Sequence, residues 1–264
     1  MAERGTRPGA RFDAPASSRI TDFSLGGKDN YGPDRETALK AFEALPAARL
    51  LPRENRKFMR RAVRFLLAAG VRQFLDVGCG LPGKGNVHEV VHGVDPAATV
   101  VYIDNDPVAV VHFQALLHAV PTATAVCADA RDPASILTHP EVTALIDFAR
   151  PVGVLMCCVL SHFADPRRAH SSAAAFRAAM APGSHLAVSD FTDEALTDRE
   201  RAVSAELMRE SGIPLAFRPR DCLAAYFDGL ELVEPGLVPA PEWRPDRPYE
   251  RPTGWLLAGV ARKP

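Results

Sequence analysis

The chain has 264 residues, with 31 Lys and Arg against 32 Asp and Glu and a net charge of -1. That length buries a large core as a single α/β domain, and the balanced charge lacks the cationic footprint of a nucleic-acid binder. Apolar runs such as Val152–Leu160 fall far short of the roughly 20 residues that span a bilayer. The opening Met1-Ala2-Glu3-Arg4 has no apolar signal region. A cytoplasmic protein with neither membrane nor nucleic acid as partner is expected.

Residues 1–17 are rich in Gly, Pro, Ala and Arg without periodicity and read as a disordered tail. Residues 18–70 then read as a helical cap and 71–264 as the core of one domain. In the cap, apolar residues recur at helical spacing over Asp34–Ala44 and Arg53–Ala69, with Pro46 and Pro52 marking the break between. The core opens with the strand Phe74-Leu75-Asp76-Val77, a glycine turn and a helix over Asn86–His92. A strand ending Val100-Val101-Tyr102-Ile103-Asp104 follows, then a helix over Pro107–Ala119 and a third strand from Ala123. Next come a helix over Pro133–Phe148, a strand Val152–Val159, a helix Arg167–Met180 and a strand His185–Phe191. Helical segments at Thr197–Glu210 and Arg220–Phe227 precede strands near Leu230–Val233 and Trp255–Arg262. Such alternation predicts an α/β fold around a parallel sheet, with no internal repeat.

The sharpest chemical signal is Asp76-Val77-Gly78-Cys79-Gly80. Gly78 and Gly80 let the backbone turn tightly and approach a ligand where a Cβ would clash. A dinucleotide fold seats a pyrophosphate at this turn, and a carboxylate two residues ahead of the first glycine would repel it. S-adenosylmethionine (SAM) carries a sulfonium and an ammonium and no phosphate, so Asp76 favours SAM over NAD. Asp104, followed by Asn105, ends the second strand, where a carboxylate grips the two hydroxyls of a ribose. Asp129, followed by Ala130, ends the third, placed to accept from an adenine amino group. In a doubly wound sheet all such strand ends face one crevice.

Asp76-x-Gly78-x-Gly80, followed by Asp104 and Asp129, resembles the pattern of class I SAM-dependent methyltransferases. Ser18–Tyr31, Asp34-Arg35, Gln73–Pro82 and Gly85–Glu89 are similar to an actinobacterial family of S-adenosyl methyltransferases of largely unassigned substrate, over about Pro15 to Arg262. The resemblance implies a Rossmann-like fold: a seven-stranded, mostly parallel sheet with helices on both faces and an N-terminal helical extension. Its last two strands would form an edge hairpin, the final one antiparallel. It implies SAM as cofactor and methyl transfer, for which a small-molecule acceptor is expected. Pro82 stands where the class pattern has its third glycine. Two alternatives remain open: an NAD(P)-dependent oxidoreductase, from Gly78-x-Gly80-x-x-Gly83, and a non-catalytic SAM-binding protein.

The segment Leu25-Gly26-Gly27-Lys28-Asp29-Asn30-Tyr31-Gly32 is either a surface turn or a glycine-hinged lid over the cofactor. As a lid it offers Lys28 and Asn30 to the methionine carboxylate and Tyr31 as a wall of the substrate cleft. His162, just past the fourth strand, is either a general base or a packing residue. Asp190, Asp193 and Trp243 are further candidates to line the cleft. The five cysteines lack metal-ligand spacing, and His88-Glu89-x-x-His92 follows the glycine turn directly, so no metal is expected.

Overall fold

The computed structural model describes residues 12–247 and 252–264. Of the expected tail, residues 1–11 lie outside the described residues. From Ala14 the chain is tied down, its carbonyl accepting from Arg19 Nη2 at 2.7 Å. The cap consists of α1 (Ser17–Ser24), α2 (Gly32–Ala44), a single 3-10 turn at Pro46–Arg49, and α3 (Leu51–Ala68).

Five parallel strands follow: β1 (Gln73–Val77), β2 (Thr99–Asp104), β3 (Ala123–Cys127), β4 (Gly153–Cys157) and β5 (His185–Phe191). Between them run α4 (Val87–His92), α5 (Pro107–Leu116), α6 (Pro133–Leu137), α7 (Pro140–Thr143) and α8 (Pro166–Ala179). After them come α9 (Asp198–Ser211), α10 (Arg220–Ala224), β6 (Glu231–Leu232), β7 (Val238–Pro239) and β8 (Leu256–Arg262). The strand order is β3-β2-β1-β4-β5-β8-β6, with β8 antiparallel to both neighbours, as expected of the closing hairpin. The two-residue β7, which also pairs with β8, is the strand that sequence patterning did not reveal. The order reverses between β1 and β4, and a crevice opens there at the carboxyl edge.

Local sequence explains the regular entry of the helices. Asp106-Pro107, Asp132-Pro133 and Asp165-Pro166 each place an Asp at the N-cap, its carboxylate accepting from a first-turn amide, and a Pro at the first helical position. There the fixed φ is pre-organised and the missing N–H costs nothing. The same rule corrects one expectation: Pro133–Phe148 is not a single helix. Pro140 cannot continue the hydrogen-bond ladder, and the segment splits into α6 and α7 with His139 capping the second.

Strand residues alternate between two packed layers. Phe74, Val100, Tyr102 and Leu155 join α3 and Trp243 on one face, whereas Leu75, Val77, Val101, Ile103 and Met156 join α8 on the other. Both faces of β1 are buried, which is why its sequence is a near-continuous apolar run. Trp243 is fully buried, edge-on to Phe58 at 5.4 Å and Phe65 at 5.8 Å. Arg61 fixes it by donating to the carbonyls of Trp243 and Ala240 at 2.7 and 2.6 Å. Among the described residues no helix is long and apolar enough to cross a membrane.

The cap is organised by Asp34. Its carboxylate is fully buried and accepts from Ala16 N–H and Tyr31 N–H, each at 2.8 Å, and from Arg19 Nε at 3.1 Å. Breaking a buried pair of this kind costs about 3–5 kcal/mol, because the surviving charge is left unpaired. Asp34→Ala is therefore expected to accelerate hydrogen exchange of the Ser17–Ser24 amides by roughly a hundredfold or more, at about 1.4 kcal/mol per factor of ten. Unchanged exchange in α1 would show that Asp34 does not hold the cap.

Candidate functional site

The crevice is shaped by its backbone first. Gly78 has φ 76°, and a Cβ there would sit 2.5 Å from Val159 Cγ2, so only glycine lets the exit of β4 close on this turn. The amides of Gly78 and Cys79 both donate to Ile103 O, at 2.8 and 3.0 Å. Gly80 N–H donates to Asp104 Oδ2 at 2.7 Å, and Asp106 N–H donates to Asp104 Oδ1 at 2.9 Å. The ends of β1 and β2 are thus locked to each other through one carboxylate.

Around this lock lies a cavity of about 340 Å³. Asp76, Gly78, Gly80, Asp104, Asn105, Asp129, Ala130 and His162, all singled out from sequence, line it together. Asp76 and Asp104 are almost fully buried. Burial pushes Asp76 up to about 7, with Arg56 pulling it down and Asp104 adding to the rise. Burial likewise pushes Asp104 up to about 6, against the backbone amides that favour its charged form. Asp129 is different. Burial alone raises it, but Arg131 forks onto its carboxylate at 2.9 and 3.0 Å and holds it below the usual value.

His162 follows β4 in a short 3-10 turn. Its Nδ1 lies 2.8 Å from Pro214 O, a group that can only accept, so Nδ1 carries the proton. The other nitrogen, Nε2, then accepts from Ser17 Oγ at 3.0 Å. Burial lowers the His162 pKa; the Pro214 bond opposes this and Arg218 adds to it. The ring is therefore neutral at neutral pH.

Sequence reasoning missed five residues here. Ser17 and Ser18 roof the cavity from α1, Ser18 Oγ donating to Asp106 Oδ2 at 2.6 Å. Asn55 and Arg56 enter from α3. Arg218, outside the cavity, brackets the His162 turn by donating to Leu160 O at 3.0 Å and Phe163 O at 2.5 Å, and pairs with Asp190 at 3.2 Å. A buried arginine so far along the chain leaves no local pattern. Ser17 falls in the expected tail and Ser18 at the first residue of the expected cap, so neither stands out.

Other expectations are corrected. Lys28, Asn30 and Tyr31 are not among the lining residues. Asn30 Nδ2 donates to Asp22 Oδ2 at 2.8 Å and to Gly27 O at 3.1 Å, its Oδ1 accepts from Arg35, and Tyr31 caps α2 while meeting Phe12 edge-on. Gly27 serves packing, since a Cβ there would fall 1.8 Å from Asp22 Oδ1, whereas Gly26 supplies a left-handed turn at φ 84°. The cover over the cavity is α1 itself. Asp190 is fully buried against Arg218 and Tyr226, Asp193 pairs with Arg201, and Trp243 sits in the core, so none of the three lines the cleft. At Pro82 the turn closes without a third cradling glycine, Gly83 N–H donating to Asn86 Oδ1 at 2.8 Å. His88 meets the Tyr102 hydroxyl at 2.8 Å, and His92 lies 3.1 Å from Ala98 O, so both imidazoles are engaged in the fold.

The sequence profile of the S-adenosyl methyltransferase family matches residues 7–264. The chain belongs to that family. The dinucleotide alternative is thereby set aside, and SAM is the methyl donor of this methyltransferase. Among solved structures, the chain is 39% identical to a protein of Thermobifida fusca assigned as a methyltransferase, at TM-score 0.89 over 96% of this chain and 97% of that one. It is 36% identical to a DUF574 family protein of Streptomyces avermitilis, at TM-score 0.90 over 96% and 100%. At the level of fold alone it is similar to the 1,6-didemethyltoxoflavin-N1-methyltransferase of Burkholderia thailandensis, at 17% identity and TM-score 0.50 over 95% and 92%. No protein of curated function matches the chain in sequence.

The burial of Asp76 makes a stability prediction with a definite sign. Its folded pKa, about 7, lies above the 3.8 of the free group, so the folded state holds a proton that the unfolded state releases between those values. Stability contributed at this site therefore falls as pH rises from about 4 to about 7. Asp76→Asn is expected to be more stable than the parent at pH above 7, by on the order of 2 kcal/mol or more at about 1.4 kcal/mol per unit of displacement. At pH below 4 the two should be nearly equal. Urea unfolding across pH is the measurement, and a difference independent of pH refutes the assignment.

Proposed function

We propose that this methyltransferase is a cytoplasmic enzyme that methylates a small molecule, with the 340 Å³ cavity as the cofactor site. The observation that carries the reading is that Asp76 and Arg56 both line this cavity, the guanidinium near enough to draw the carboxyl's pKa down. A desolvated carboxylate and a guanidinium there complement the ammonium and carboxylate of an amino-acid zwitterion. Asp76 also places negative potential where a sulfonium would lie. Asp104 fits a ribose: each oxygen already accepts one backbone amide and retains a lone pair for a hydroxyl. Asp129 and Ala130 wall the adenine end, where Ser172 Oγ fixes the Ala130 carbonyl at 2.7 Å. Five free cysteines agree with a reducing compartment.

When bound, SAM supplies a methyl carbon already activated by its sulfonium. The chain orients the acceptor and removes its proton. Neutral His162 presents Nε2 to Ser17 Oγ, so the acceptor proton passes to the Ser17 oxygen as the Ser17 proton moves to His162. Arg218, by holding both ends of the His162 turn, fixes the ring for this step. Much of the acceleration comes from proximity, since the displacement needs no further activation of the electrophile.

Two measurements test the assignment. Arg56→Gln should weaken SAM by roughly tenfold to a hundredfold, the loss of a charge-assisted bond, while leaving decarboxylated SAM nearly unaffected. Equal losses for both ligands would remove Arg56 from the methionine end. With a turned-over acceptor, His162→Gln should lower kcat by about a hundredfold or more. It should also abolish the acid limb of the rate profile, which lies below pH 6.5 because burial lowers the His162 pKa. An acid limb that survives in the variant belongs to another group.

A further inference from the structure

A second cavity, of about 220 Å³, opens from the first between the cap helices α1 and α2, the segment around Asn55, and α9. The two share Ser17, Asn55, Cys158 and His162 as a common neck. The second cavity thus begins where the proposed proton acceptor is held. Asn55 is oriented there by Ser189, whose hydroxyl donates to its Oδ1 at 2.6 Å, leaving the amide NH2 as the donor it presents. Cys158, in the left-handed region at φ 61°, fixes the backbone at this point, and its buried thiol has its pKa pushed far up, so it is no nucleophile.

The lining of the second cavity has a definite chemistry. Among the described residues it includes Phe42, Leu207, Met208, Phe191, Phe217 and Trp255, and not one Asp, Glu, Lys or Arg. Phe191 and Phe217 stand edge-on, 5.4 Å apart. A carboxylate or ammonium entering this space would be desolvated with no opposite charge to meet it, and His162 at the neck is neutral. Flat apolar rings suit such walls, and Met208 adapts to their outline. The volume lies below the ~300–1,000 Å³ of typical ligand pockets, so the occupant is compact.

Several hydroxyls lie in this lining, and those of Ser24, Thr37 and Ser211 donate to backbone carbonyls of their own helices. Ser204, on α9, is 5% exposed, and its hydroxyl has no hydrogen-bond partner among the described residues. Buried hydroxyls are ordinarily paired, and this one is carried by a residue that lines the cavity. We propose that the second cavity is the acceptor site and that the acceptor is a neutral, compact ring compound. It bears one hydroxyl, which is methylated at the Ser17–His162 neck, and a second hydrogen-bonding group that Ser204 reads.

This inference rests on the cofactor reading above. In the reaction the acceptor O–H bond breaks and its proton reaches His162 Nε2 through Ser17. The oxygen pair forms a C–O bond to the methyl carbon, and the S–CH3 pair returns to sulfur, leaving a neutral thioether. A protonated amine is disfavoured by the absence of any Asp or Glu among the described lining residues, and a carboxylate by the absence of any Lys or Arg.

The experiment is calorimetry on the full chain saturated with S-adenosylhomocysteine, using 2,6-dihydroxynaphthalene, 2-naphthol, 6-hydroxy-2-naphthoate and tyramine as probes. The two neutral probes should bind, and the anion and the cation at least tenfold more weakly. Ser204→Ala should weaken the diol by roughly five- to tenfold, the loss of one hydrogen bond, and leave 2-naphthol unchanged. Ala41→Phe, which fills the chamber from α2, should abolish binding of both neutral probes while S-adenosylhomocysteine binds as before. Charged probes binding as well as neutral ones, no neutral probe binding at millimolar concentration, or Ala41→Phe leaving the diol unaffected would each overturn the proposal. Failure to bind S-adenosylhomocysteine at all defeats the cofactor reading instead, and is scored separately.

Discussion

The structure turns on the placement of two carboxylates where water does not reach them. Asp76 and Asp104 end neighbouring parallel strands, so the sheet itself brings them together, and the Gly80 amide bonds one of them across the gap at 2.7 Å. Neither is at ease there: burial raises both toward neutral pH. A fold selected for stability alone would place apolar side chains at these strand ends. The unfavourable ionisation would be relieved by a partner that brings positive charge and hydroxyl donors, which is the polarity of the family's cofactor. Strain of this kind, held by a rigid sheet, preorganises a binding site.

How much of this was legible depends on how local each signal is. Asp76, Gly78 and Gly80 lie within five residues, and Asp104 and Asp129 each terminate a strand that alternation reveals. The crevice could thus be assembled from topology. Three helices open on Asp-Pro pairs, a signal carried within two residues, and the split at Pro140 follows from the same chemistry. Arg218 and Asn55 act across the fold, 55 and 58 residues or 134 residues from their partners, and no window of sequence contains such a bond. Asp34 was readable as an early acid of α2 but not as the anchor of Ala16 and Arg19.

The loop at Gly26–Tyr31 shows a different limit. Paired glycines beside polar residues describe a hinge and a packed turn equally well. Backbone freedom and close approach are two consequences of the same missing Cβ, and only the position of Asp22 decides between them. That carboxylate accepts from Asp29 N–H at 2.9 Å and from Asn30 Nδ2 at 2.8 Å, filling the space where a Cβ on Gly27 would go. The polar residues that looked poised for a ligand are the ones that close the turn.

The covering role passes instead to α1, and this links the cap to the chemistry. Ser18 bonds Asp106, next to the Asp104 lock, while Ser17 bonds His162 at the neck shared by both cavities. Two adjacent serines on one short helix therefore touch the wall of the proposed cofactor cavity and the proposed proton acceptor at once. Displacing α1 would open both chambers and uncap His162 together, because its residues line both cavities and Ser17 holds the ring. The anchor that holds α1 in place is the buried contact of Arg19 with Asp34, one residue beyond Ser18. On the proposed reading, binding of the two reactants and the readiness of the base would be joined through a single element, and the cap would belong to the active site although none of the strand-end motifs lies in it.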